Sequence, residues 1–240
     1  NRNKKNFSEA AAEKGSSFFA LHVNHWSGGP SLMIVTGEII TMQILVTGEQ
    51  MKQLDQATIH TMGIPSLVLM ERAALAVFDC LKQHFSLKKT LVVCGSGNNG
   101  ADGMAVARLL HLAGYSVDLY LAGNPASFTE EMKIQWQAAE NYQVSIVNNC
   151  RFSEYTTIVD ALFGVGLSRE LSGKYQTLVD SINASGVPVL AVDIPSGIHA
   201  GTGQVMGTAV RAAETVTFAY RKLGISLYPG TVYAGNVQVK

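Results

Sequence analysis

From Thr47 to the carboxyl end, apolar residues recur in two alternating periods, short β-rich runs and longer helical stretches separated by Gly, Asn and Ser. Thr47-x-x-Gln50 predicts a capping box that opens a helix through about residue 60, and Gly63-Ile-Pro65 breaks it before a second helix over 66–84. That second stretch carries Leu67, Met70, Ala74, Val77, Phe78 and Leu81 near helical spacing, with Leu69 and Ala73 beside them. Two helices therefore precede the first clear strand, 90–94. A glycine-rich loop and a helix over 104–113 follow it. Strands are then predicted at 116–121, 143–147, 157–160, 188–192, 214–219 and 236–239, with helices at 130–141, capped by Thr129, and at 175–184. Strands alternating with helices predict a mainly parallel sheet covered on both faces, a three-layer α/β/α sandwich.

Composition narrows the class. Of 240 residues 47% are hydrophobic, enough for a sizeable core, and the 18 basic and 18 acidic side chains cancel. Bulk charge therefore gives no drive toward nucleic acid. No apolar run reaches the length of a membrane span, and three widely spaced cysteines (Cys80, Cys94, Cys150) offer neither a disulfide framework nor a Cys-x-x-Cys pair, so a reducing, cytoplasmic setting is expected.

Residues 1–41 differ from the rest. They are polar and flexible in composition, with no sustained period, and read as an extension ahead of a domain over 42–240. A mitochondrial transit peptide fits less well, because Arg2 is the sole arginine there and Glu9, Glu13 and Glu38 are acidic. His22 and His25 lack acidic or cysteine neighbours and carry no metal-site expectation. A chain starting at Asn1 without methionine is expected to be processed or a fragment.

Ligands of parallel sheets bind beyond the carboxyl ends of the strands. Three loops there carry chemistry. Gly95-Ser-Gly-Asn-Asn-Gly-Ala-Asp-Gly103 opens a helix, where backbone N–H groups attract phosphate and glycines allow close approach. Its Gly95-x-Gly97-x-x-Gly100 core matches the dinucleotide fingerprint, yet the acid expected at the end of the second strand is missing, since Asp118 lies inside it. Asp160 and Asp193 each end an apolar strand. Oxygen atoms from Asn99, Asp160 and Ser196 suit a hard cation, and their single carboxylate suits a monovalent one. Ser196 lacks the Gly-x-Ser-x-Gly frame of a hydrolase.

These loops, together with Gly63-Ile-Pro-Ser-Leu-Val-Leu-Met-Glu-Arg-Ala73, resemble the NAD(P)H-hydrate epimerase family, also called the YjeF N-terminal domain. The resemblance runs from about Met42 to the carboxyl end. It implies a Rossmann-like fold, isomerase activity interconverting the R and S forms of hydrated NADH and NADPH (NADHX and NADPHX), and one potassium ion per subunit. By motif position it implies substrate contacts from Asn98, Asn99, Gly100, Ala101, Asp102, Gly164, Val165, Gly166, Leu167, Ser168, Arg169, Glu170 and Asp193. Potassium would lie on Asn99, Asp160 and Ser196, and Asp193 would be the catalytic acid/base. A homodimer is implied too, with NAD(P)H-hydrate dehydratase as functional partner, fused at the carboxyl end in many bacteria. Ala101 departs from the family's second glycine, tolerable if its φ is negative, and Arg221 replaces a common proline. A binding or scaffold module on the same fold is the alternative; retention of Asp193, Asp160 and Asn98-Asn99 argues for the enzyme.

Overall fold

The computed structural model describes residues 31–35 and 38–240. The chain divides into two units between Ile44 and Leu45. In the first, β1 (Ser31–Val35) and β2 (Glu38–Met42) pair antiparallel, so part of the segment read as an extension carries a hairpin. Asn1 to Pro30, with His22 and His25, lie outside the described residues.

The second unit opens with β3 (Leu45–Val46), α1 (Gly48–Gln56) and α2 (Ser66–His84). The predicted capping box is present: Gln50 N–H donates to Thr47 Oγ1 at 3.2 Å and Thr47 N–H to Gln50 Oε1 at 2.9 Å. Next come β4 (Thr90–Cys94), α3 (Asn98–Leu112), β5 (Val117–Leu121), α4 (Glu130–Asn141), β6 (Ser145–Val147) and β7 (Thr157–Ala161). The chain continues through α5 (Lys174–Ala184), β8 (Val189–Val192), β9 (Glu214–Thr217), β10 (Arg221–Lys222), α6 (Gly230–Ala234) and β11 (Asn236–Val239).

Seven strands form one sheet in the order β11-β9-β8-β7-β4-β5-β6, every neighbouring pair parallel. Central strands are buried along their whole length, as a sheet covered on both faces requires. Val92 and Cys94 of β4 pack with α2, α3 and α4, while Leu91 and Val93 pack with α5, which gives three layers from the two-residue alternation of side chains. From β4 the chain proceeds outward through β5 and β6, then crosses to β7 on the other side of β4 and proceeds outward again. The switch point, where loops diverge and leave a crevice, lies between β4 and β7.

Two differences from the sequence expectations matter for the site. The helix expected from 104 begins at Asn98, because Asn and Gly have poor helix propensity and mask a turn that packing enforces. At Gly103 an added Cβ would stand 2.4 Å from Ala161 Cβ, so the bare glycine lets α3 lie directly on β7. The other difference is the parallel bridge of β3 with β10, Val46 opposite Lys222, too short and too charged to show a period. It fixes the backbone of Lys222.

Candidate active site

The crevice beyond β4 and β7 opens into a cleft of about 560 Å³, walled by α1, the start of α2, the first turn of α3 and the loop after β7. Gly95 makes this arrangement possible: a Cβ there would lie 2.1 Å from Leu162 O, so only glycine lets the two loops touch. Beyond that contact α3 starts on Gly97 with no side-chain cap, which leaves N–H groups of its first turn directed at the cleft. A fifteen-residue helix adds its dipole to those donors, a favourable place for phosphate oxygens.

Asp193 follows β8 with φ +68°, a left-handed conformation that costs a non-glycine residue about 1 kcal/mol or more. The surroundings hold it there. Its N–H donates to Val216 O at 2.8 Å, and its Oδ1 accepts from Thr217 Oγ1 at 3.1 Å and Lys222 Nζ at 2.5 Å. Lys222 is buried and also donates to Phe218 O at 2.9 Å. Asp55 of α1 and Asp102 of α3 line the same cleft. Burial, and then the charges of Asp193 and Asp55, hold the Asp102 carboxyl well above the usual range, with Lys222 pulling the other way. Asp55 is raised chiefly by burial as well. One ammonium thus serves three carboxyl groups.

Asp160 lies beneath the cleft floor, fully buried at the end of β7. Its carboxylate accepts from Leu162 N–H at 3.2 Å, Ser196 N–H at 2.8 Å and Ser196 Oγ at 2.6 Å. Burial still pushes it up to about 6 against those bonds. Ser196 Oγ also accepts from Phe163 N–H at 2.9 Å, so this pair shapes the turn that leads into Gly164. Across that turn the Asn99 side chain packs where a Cβ on Gly164 would stand, 3.0 Å from Asn99 Oδ1, and its buried Nδ2 has no hydrogen-bond partner. Turning that amide presents an unpartnered oxygen instead. Asp160 and Ser196 each retain an unused lone pair, so the all-oxygen set of Asn99, Asp160 and Ser196 fits a monovalent cation.

Of the residues named from sequence, Asn98, Asn99, Asp102, Gly164, Val165, Gly166, Leu167 and Asp193 line the cleft. Gly100 and Ala101 are instead buried within α3, and Ala101 is helical, so its replacement of glycine introduces no strain. Ser168, Arg169 and Glu170 are exposed and lie outside the cleft lining. Sequence reasoning missed Lys222, Thr217, Asp55 and Lys52. A lysine between Phe218 and the apolar Leu223–Ile225 turn was the one available signal for Lys222; helical Asp55 and Lys52 gave none. Asp118 lies inside β5 and not at its carboxyl end; it accepts from Ser145 Oγ at 2.6 Å and Tyr155 Oη at 2.9 Å, away from the place a dehydrogenase fingerprint gives the ribose acid.

Comparison with known proteins agrees with this geometry. The family described as YjeF-related protein N-terminus matches residues 66–224. A protein of Limosilactobacillus reuteri named NAD(P)H-hydrate epimerase is 51% identical over 198 residues, covering 81% of this chain and 93% of the relative. One of Oenococcus oeni with the same name is 51% identical over 199 residues, covering 82% and 95%. The crystal structure of yeast ynu0 superposes with a TM-score of 0.70 at 22% identity, over 82% of this chain and 87% of that one, which shows the shared fold. On the match of two thirds of its length and on relatives identical at half their positions, the chain belongs to the NAD(P)H-hydrate epimerase family, the YjeF-related N-terminal domains.

Proposed function

We propose that the cleft interconverts the R and S forms of hydrated NADH and NADPH, with Asp193 as the acid/base. The observation that carries this reading is the Asp193–Lys222 pair: a carboxylate held in a costly backbone conformation in the lining of a phosphate-suited cleft, hydrogen-bonded to a buried ammonium. In the substrate the hydroxylated ring carbon is bonded to the ring nitrogen. As the nitrogen lone pair forms an iminium-like cation, the departing hydroxyl takes a proton from the pair, delivered by Asp193 and replenished from Lys222. Water returning to the other face gives that proton back. Asp102, raised toward its neutral form, is able to donate a hydrogen bond to the substrate, and the α3 amino terminus receives pyrophosphate oxygens.

Asn99, Asp160 and Ser196 would hold one potassium ion per subunit, which when bound supplies a fixed positive charge beside the 164–167 loop. The three residues themselves set the shape of that loop through the Phe163 and Gly164 contacts. A homodimer through α2 is supported by Val68 and Leu75, seven residues apart and exposed on one helix face. Its product suits NAD(P)H-hydrate dehydratase as functional partner. Among the described residues no helix is long and apolar enough to cross a membrane.

The direct test is to supply the purified protein with one epimer of NADHX and follow the other by chromatography. Interconversion well above the spontaneous rate supports the reading. No acceleration, with NADHX still bound, would favour a binding module.

A further inference from the structure

Away from the cleft, where α2 ends against the amino-terminal end of β9, Cys80, His84 and Glu214 bring three ligand atoms within 4.8 Å of one another. Cys80 and His84 are four residues apart and share a face of α2. Cys80 Sγ lies 4.0 Å from His84 Nδ1 and 3.3 Å from Glu214 Oε2, and His84 Nδ1 lies 2.8 and 2.9 Å from the two Glu214 oxygens. A tetrahedral zinc ion with ordinary bond lengths separates its ligands by about 3.3 Å for nitrogen and oxygen and about 3.5 Å where sulfur is involved. The observed triangle brackets those edges.

A fourth polar side chain faces the same point. Gln238 Nε2 on β11 lies 2.9 Å from Glu214 Oε2, 3.2 Å from His84 Nδ1 and 3.4 Å from Cys80 Sγ, so it faces all three groups with only two hydrogens to donate. A cation between the three groups takes the Nδ1 lone pair, a thiolate and a carboxylate oxygen, and leaves Gln238 to orient Glu214 from behind.

We propose that Cys80, His84 and Glu214 form a site for a borderline-soft divalent transition ion, zinc foremost, that ties the end of α2 to the start of β9. Thiolate, imidazole and carboxylate together exclude magnesium and calcium, which take oxygen ligands, and suit zinc or cobalt. The fourth position is open to water on the side where His84 is 38% exposed. Binding releases the Cys80 proton to solvent; burial and the Glu214 carboxylate otherwise push that thiol up to about 12, with Lys240 pulling it down. None of these residues lines the cleft, so the site is separate from turnover.

The probe is Co²⁺ titrated into the purified protein under a non-thiol reductant. We expect one equivalent to produce a near-ultraviolet thiolate-to-cobalt absorption that Zn²⁺ abolishes, and a rise in Tm with either ion. Cys80→Ser should lose the absorption, His84→Ala should weaken Zn²⁺ at least tenfold, and Cys150→Ser should change neither. Because the absorption reports a thiolate ligand, binding through histidine alone elsewhere in the chain does not contribute to it. Absence of the absorption from the unaltered protein, its persistence in Cys80→Ser, or unchanged Zn²⁺ affinity in the surface variant His84→Ala would overturn the proposal. All these readouts are independent of epimerisation.

Discussion

Lys222 Nζ stands 2.5 Å from Oδ1 of Asp193, with 1% and 12% of the two side chains exposed. So enclosed, neither charge can be removed alone without leaving the other poorly solvated. The pair joins β10 to the end of β8, so it is a structural tie as well as a store of one mobile proton.

Lys222→Met keeps the volume and removes the charge. It should destabilise the protein by about 3 kcal/mol in urea unfolding, as breaking one side of a buried pair does, and lower turnover about 100-fold. Adding Asp193→Asn to Lys222→Met should restore much of the stability and none of the turnover. Wild-type stability in the single variant would show that the two charges do not meet.

The Asp160 carboxyl, raised from 3.8 to about 6, binds more protons folded than unfolded between those values. Its contribution is therefore lost as pH rises through that window, by about 3 kcal/mol as an order of magnitude. Asp160→Asn should flatten this part of the stability–pH curve. A bound cation prefers the ionised carboxylate, so potassium should raise Tm more at pH 7.5 than at pH 5, whereas tetramethylammonium should not. Equal effects of the two cations at both pH values would argue against an ion at Asp160.

Ala101 tests the departure from the family pattern. It is buried and helical in the first turns of α3, so Ala101→Gly should cost about 1 kcal/mol, the helix-propensity difference, and leave the rate of epimerisation within twofold. A large gain in rate would mean that the methyl obstructs the substrate.

The β/α alternation was legible because each central strand is buried on both faces and each helix has its own apolar stripe. Residues 66–84 and 90–94 are bounded in the structure as the pattern predicts. Asp160 and Asp193 could be picked out because each ends such a strand. Lys222 could not be placed, since its position depends on a two-residue bridge between segments far apart in sequence, Val46 and Lys222. Ser168, Arg169 and Glu170 show the opposite limit: a motif carries them with Gly164, but the chain turns outward after Leu167 and leaves them exposed.

The central claim is that Asp193 moves the proton. Asp193→Asn keeps the shape and tolerates the left-handed backbone, since asparagine enters that region as readily as aspartate. Measured by chromatography of R and S NADHX, the variant should epimerise at least 100-fold more slowly. Its affinity for the hydrated cofactor should stay within a few-fold. An epimerisation rate in Asp193→Asn equal to that of the unaltered protein would contradict the account.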